Sequence, residues 1–71
     1  MAIKFECIKY GDKGAKVKEI KKLLKKAGSN VKQTATFDIG TVSAVRAFQK
    51  KNGLLVTGIV DSRTYKKLSA K

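Results

Sequence analysis

The chain has 71 residues, 42% of them hydrophobic, with one Cys and neither Pro nor His, and its 17 Lys and Arg against five Asp and Glu give a formal net charge of +12. A domain of this size has a thin core, burying only about 60% of the surface that its unfolded chain exposes, and no apolar run approaches the ~20 residues of a membrane span. Without His, and with a single Cys and five scattered carboxylates, no zinc, calcium or catalytic-triad constellation can be assembled, so no cofactor, metal or catalytic residue is assigned and the chain reads as a non-enzyme.

Residues 1–7 read as an extended N-terminal arm, with Ile3, Phe5 and Cys7 alternating against Lys4 and Glu6. Glu6 falls where a secretion signal would need apolar residues, which points to synthesis in the cytoplasm without a signal peptide. Cys7 has no second Cys to pair with and reads as a small hydrophobe beside the arm. Ile8 and Tyr10 break the alternation, and the run Tyr-Gly-Asp-Lys-Gly at 10–14 is turn chemistry, with Asp12 available as a helix cap.

Over 15–27 the apolar residues Val17, Ile20, Leu23, Leu24 and Ala27 recur at spacings of three and four, which predicts a helix with one buried stripe. Gly28 is placed to end it. The opposite face carries Lys18, Lys22 and Lys25, flanked by Lys21 and Lys26. Like charges at i,i+4 cost on the order of 0.2–0.5 kcal/mol per pair, so this ridge suits a solvent face and an acidic partner. Fifteen of the 17 cations are Lys, a diffuse charge for phosphate or carboxylate polymers rather than the bidentate chemistry that Arg brings to base edges.

The rest of the chain repeats itself. Residues 33–45 align with 56–68 at an offset of 23, pairing Thr34 with Thr57, Ala35 with Gly58, Phe37 with Val60, Asp38 with Asp61, Thr41 with Thr64 and Val45 with Leu68. Each unit reads as turn, cap, helix. Asp38 and Asp61 are the predicted N-caps, able to accept from the unpaired N–H groups of the first turn. Helices are expected over 41–51, ended by Asn52-Gly53, and over 62–70. The predicted core is Val17, Ile20, Leu23, Leu24, Phe37, Val45, Phe48, Leu54, Val60 and Leu68, with Ala44 and Tyr65 beside it.

Three blocks, residues 8–24, 37–54 and 57–68, together resemble the peptidoglycan-binding-like domain, the small three-helix module of bacterial and phage wall hydrolases. The most specific pieces are Gly11 with Gly14, the run Ala-Val-Arg-Ala-Phe-Gln at 44–49, Gly53-Leu54, and Thr41 with Thr64. The resemblance implies an all-α three-helix bundle over 8–71 preceded by the arm. The chain departs from the family at Thr34-Ala35 and Thr57-Gly58, where Asp-Gly is usual, at Asp38 and Asp61, where Gly is usual, and at Lys21, where Gln is usual. Ala35 is the sharpest departure, because a side chain penalises positive φ, and it predicts a reshaped first turn.

The leading functional reading implied by the resemblance is a non-catalytic module binding peptidoglycan or an associated anionic wall polymer, at a bacterial cell wall or on a phage particle. Repeat geometry places a shallow ligand groove near Thr34, Thr36, Asp38, Gln49, Asn52 and Tyr65, with Lys18, Lys22 and Lys25 as an electrostatic complement. A second reading is a structural or assembly module, such as a virion component, attaching to proteins through the arm and outward-facing Ile39, Leu55 and Ile59. The weaker third, a basic nucleic-acid binder, has only Arg46 and Arg63 for specific contacts.

Overall fold

Capping decides where two of the three helices begin. In a computed structural model describing residues 7–70, the chain forms α1 (Ala15–Lys26), α2 (Ile39–Lys51) and α3 (Ser62–Ser69), with no strand among the described residues. Asp38 and Asp61 sit in extended backbone at the N-caps, and Oδ1 of each accepts from the N–H three residues on, Thr41 at 2.9 Å and Thr64 at 2.8 Å. A cap at Asp38 makes Ile39 the first helical residue, so α2 starts two residues before the expected boundary. The arm expected over 1–7 lies outside the described residues except for Cys7, which is exposed.

Asp12 does not cap α1. The N-cap is Gly14, which has no side-chain bond, whereas Asp12 lies in a tight turn where its N–H donates to the Lys9 carbonyl at 3.0 Å and its Oδ2 accepts from the Lys9 N–H at 2.9 Å. That turn folds its carboxylate backward, away from the helix. The far ends of α1 and α2 follow expectation, with Gly28 and Gly53 at positive φ just beyond the last turns.

The core consists of Ile8, Val17, Ile20, Leu24, Phe37, Val45, Phe48, Val60 and Leu68. Leu23 and Leu54, expected among them, are partly buried at its edge. Ile8 was not foreseen, because local alternation does not reveal its pairing with a residue 52 positions away. Its N–H donates to the Val60 carbonyl at 3.0 Å and its carbonyl accepts from the Val60 N–H at 2.8 Å. Further along the same segment, the Gly11 N–H donates to Phe37, Phe37 to Asp12, and Gly14 to Ala35. Residues 8–14 thereby tie the turns of both repeats together, while α1 packs against both α2 and α3.

Phe48 is central to this core, and Phe48→Ala should cost about 3–5 kcal/mol. Against the ~5–15 kcal/mol of a whole domain, at the low end for this size, urea titration should find the variant largely unfolded. The caps set a pH dependence. Bonds from Thr41 hold the Asp38 carboxyl below its ordinary 3.8, helped by the Lys21 charge, and the Thr64 N–H does the same for Asp61. A depressed folded-state pKa stabilises above the unfolded value and is lost as pH falls through the folded one. Stability should therefore be level near neutrality and decline below about pH 4. Asp61→Ala should lose about 0.5–2 kcal/mol at pH 7 and flatten that decline, with Asp61→Asn much milder.

Candidate functional site

Each repeat turn is held by one buried polar side chain. In the second repeat it is Gln49, fully buried, whose Oε1 accepts from the N–H groups of Thr57 and Gly58, both at 3.0 Å. Its amide nitrogen donates to the Ile59 carbonyl at 2.9 Å and to the hydroxyls of Thr64 and Thr57 at 3.0 and 3.2 Å. The turn favours Gly58 because its φ of +79 is one that L side chains rarely adopt, and a Cβ there would also crowd Val42 Cγ1 at 3.1 Å and Arg46 Cγ at 3.3 Å.

In the first repeat the tie is Lys21. The sequence placed it on the flank of the exposed ridge, yet it is fully buried: its Nζ donates to Thr34 Oγ1 at 2.7 Å and lies 3.7 Å from Asp38 Oδ2. Its hydrocarbon stem suits the apolar stripe while the ammonium reaches the turn. Gln33 adds a second tie, its amide donating to the Lys21 carbonyl at 3.1 Å. The first turn is reshaped, as Ala35 predicts: no residue other than Gly has positive φ among the described residues, and the Ala35 carbonyl accepts from Gly14 instead.

Beside this turn lies an open groove of about 570 Å³ between the 10–13 segment, the 30–32 loop and the start of α2. Tyr10, Lys13, Lys32, Thr36, Asp38 and Ile39 contribute to its lining. The repeat offset carries residues 30–32 onto 53–55 and 38–40 onto 61–63, and those positions line a smaller cleft of about 230 Å³. Two differences account for the sizes. The first groove gains a wall from Tyr10, Gly11 and Lys13, and it has Gly40 where the second has Arg63.

The six residues expected to form one groove are dispersed. Thr36 and Asp38 line the large groove. Thr34 stands beside it with its hydroxyl occupied by Lys21. Gln49 is withdrawn into the interior with its amide engaged at both ends, which leaves it no surface for a ligand. Asn52 ends α2, its side-chain amide donating to the Phe48 carbonyl at 2.9 Å. Tyr65 packs against α1, its hydroxyl donating to Glu19 Oε2 at 2.8 Å and its ring centroid 5.3 Å from Lys16 Nζ. That bond to Glu19 raises the pKa of the phenol above its ordinary range. Glu19 and Lys21 leave α1 about 160° apart, so Tyr65 and the groove are on opposite flanks. Tyr10, Lys13 and Lys32 were not singled out and Ile39 was expected to face a protein partner; applying the 23-residue offset to the loops before each cap would have found Lys32 and Ile39, but not Tyr10 and Lys13, which lie outside the repeats.

Lys18, Lys22 and Lys25 are exposed, as expected. Lys18 and Lys25 sit one turn either side of Lys21, on the flank facing the first repeat turn. Ile39 and Leu55 are 66% and 82% exposed, but Ile59, expected outward, is half-buried because Gln49 holds its carbonyl inward. Among the described residues no three or more His, Cys, Asp or Glu stand together as metal ligands, and no helix is long and apolar enough to cross a membrane.

Comparison with known proteins agrees with the geometry. Residues 13–68 match the family of the peptidoglycan binding domain. The chain is 45% identical over 60 residues to the carboxy-terminal processing protease CtpA of Bacillus subtilis (strain 168), a match spanning 84% of this chain and 13% of the protease. The SleB N-terminal domain superposes with TM-score 0.89 at 34% identity, covering 97% of this chain and 96% of that one. The endolysin of Burkholderia phage AP3 gives TM-score 0.89 at 35% identity, covering 92% of this chain and 25% of the endolysin. A peptidoglycan-binding protein of Clostridioides difficile, solved with glutamine hydroxamate, gives TM-score 0.87 at 38% identity over 89% of this chain and 40% of its own. The chain thus spans a small part of the protease and the endolysin but nearly all of the SleB domain. With its two capped repeats, its three helices and a match over most of its length, this chain belongs to the peptidoglycan binding domain family.

Proposed function

We propose that this chain is a non-catalytic cell-wall-binding module that holds peptidoglycan in the groove beside the first repeat turn. The observation that carries the reading is the asymmetry of the two repeats. Two equivalent clefts exist by duplication, and the one at the reshaped turn is enlarged and walled by Tyr10 and Lys13. Within it, Thr36 and Asp38 are the residues retained from the sequence expectation, joined by Tyr10, Lys13, Lys32 and Ile39. A groove of this volume lies within the ~300–1,000 Å³ usual for small-ligand sites. The module's place is then the cell wall, with the lysines of α1 adding attraction to anionic wall polymers. Binding without hydrolysis fits the side chains present, since the described carboxylates are engaged as helix caps, in the 9–12 turn or with Tyr65.

A second reading, attachment to another protein, is favoured by one feature: Leu55 and Val56 are adjacent and both exposed, at 82% and 43%. Both lie outside the large groove, so the two readings separate by mutation.

Retention of the purified chain on isolated sacculi tests the proposal. Tyr10→Ala with Thr36→Ala should reduce retention several-fold with an unchanged melting curve, whereas Leu55→Ser with Val56→Ser should leave it unchanged. Lys18, Lys22 and Lys25 changed to Gln should remove a salt-sensitive share, because the Debye length shortens from about 10 Å at 0.1 M to about 3 Å at 1 M. Gln49→Ala should act differently, lowering stability by about 1–3 kcal/mol through the turn N–H groups left unpaired. Retention that vanishes in moderate salt and ignores the groove substitutions would overturn the assignment. Clearing of a sacculus suspension by the chain alone would overturn the non-catalytic part.

A further inference from the structure

The groove has a chemical character that goes beyond its shape. We infer that it takes the carboxylate-bearing peptide stem of peptidoglycan and not the sugar backbone, an inference that rests on the wall-binding reading of the same groove. Three observations lead there.

The first is charge. Lys13 and Lys32 both line the groove, both are exposed, and neither forms an ion pair among the described residues. The one carboxylate in the lining is already occupied: Asp38 Oδ1 accepts from the Thr41 N–H at 2.9 Å and the Thr41 hydroxyl at 2.7 Å, and its Oδ2 faces Lys21 Nζ at 3.7 Å. Lys21 therefore offsets the charge of Asp38 from behind and leaves the groove with two uncompensated ammonium groups. Where Gln would hold the turn without charge, Lys here also sets the sign of the field in front of it. Lys18 and Lys25, on the same flank of α1, extend that field outward.

The second is the apolar share of the lining. Tyr10 and Ile39 are 60% and 66% exposed, and Val31 is half-buried beside them. These surfaces suit the methyl and methylene groups of short side chains. A pyranose, by contrast, needs a polar partner for each hydroxyl it desolvates. Asn30, Thr36 and the hydroxyl of Tyr10 supply the neutral polar side-chain groups of the groove, too few for the hydroxyls of a disaccharide.

The third is the control built into the duplication. The equivalent cleft has Leu55 where Lys32 stands and no counterpart of Lys13, and its one cation, Arg63, takes the place of Gly40 and stands near Asp61. Of these two clefts, only the first is lined by two cations that face no carboxylate of their own.

Titration calorimetry of the whole chain with two soluble probes decides the matter: a stem tetrapeptide released from peptidoglycan by an amidase, and the peptide-free disaccharide. The peptide should bind, and the disaccharide should bind at least about tenfold more weakly, the scale of one charge-assisted hydrogen bond. The same peptide with its carboxylates amidated should lose about as much, and so should the Lys13→Gln/Lys32→Gln protein toward the unmodified peptide. That variant should melt as the parent does, because neither side chain is buried. Disaccharide binding equal to or above peptide binding would overturn this inference, and so would a peptide affinity indifferent to Lys13→Gln/Lys32→Gln. In either case retention on sacculi would still stand for the broader reading. Binding to poly(glycerol phosphate) in place of the peptide would overturn this inference alone, whereas absence of sacculus retention, or binding to duplex DNA in place of the peptide, would remove the broader reading as well.

Discussion

A polar side chain buried in a small core must have every hydrogen-bonding atom satisfied, and Gln49 meets that constraint in a way on which much of this fold depends. One amide joins α2, the turn at 57–59 and the first turn of α3 through Thr64. Its two ends accept and donate in the pattern that the turn backbone presents, so the turn geometry and the rotamer of Gln49 specify one another. Among the described residues no buried side-chain nitrogen or oxygen is left unpartnered. For a core of nine apolar residues, this network supplies the uniqueness that packing alone would leave loose.

The first repeat solves the same problem with a different residue. Lys21 cannot accept a hydrogen bond, so it cannot bind two turn N–H groups as Gln49 does. The turn adapts: its Ala35 does not take the left-handed backbone of Gly58, and Thr34 and Asp38 present oxygens to the ammonium. A buried cation is costly unless paired, which ties the charge of Asp38 to the interior as well as to the helix cap. Lys21 and the Ala in the turn thus act together with a cap carboxylate that both repeats share. Its outward consequence is an open groove whose only carboxylate is already neutralised.

The strong positive charge is a separate matter from the fold. Of the described carboxylates, Asp12 serves the 9–12 turn, Asp38 and Asp61 cap helices, and Glu19 accepts from Tyr65. Structural duties consume the acids, and the cations, apart from Lys21, stand without an ion pair among the described residues. The surface field is therefore not self-cancelling, which favours encounter with anionic partners and makes any such encounter salt-dependent.

The sequence by itself determined the helices, the caps and most of the core, because those follow from local rules. A period of three to four places Val17, Ile20 and Leu24 on one face, and an Asp three residues before a Thr reads as a cap wherever it occurs. Tertiary structure decided the rest. Ile8 enters the core through pairing with Val60, Asp12 turns back to Lys9, and Lys21 and Gln49 point inward although their neighbours Lys22 and Lys50 do not. Helical spacing puts Lys21 and Gln49 on the buried faces beside Val17 and Val45, but it does not say what polar partners would satisfy them there. Those partners are groups that the folded chain brings within about 3 Å, and for that reason the groove was legible in the sequence at Thr36 and Asp38 but not at Tyr10 and Lys13, which only folding carries to its rim.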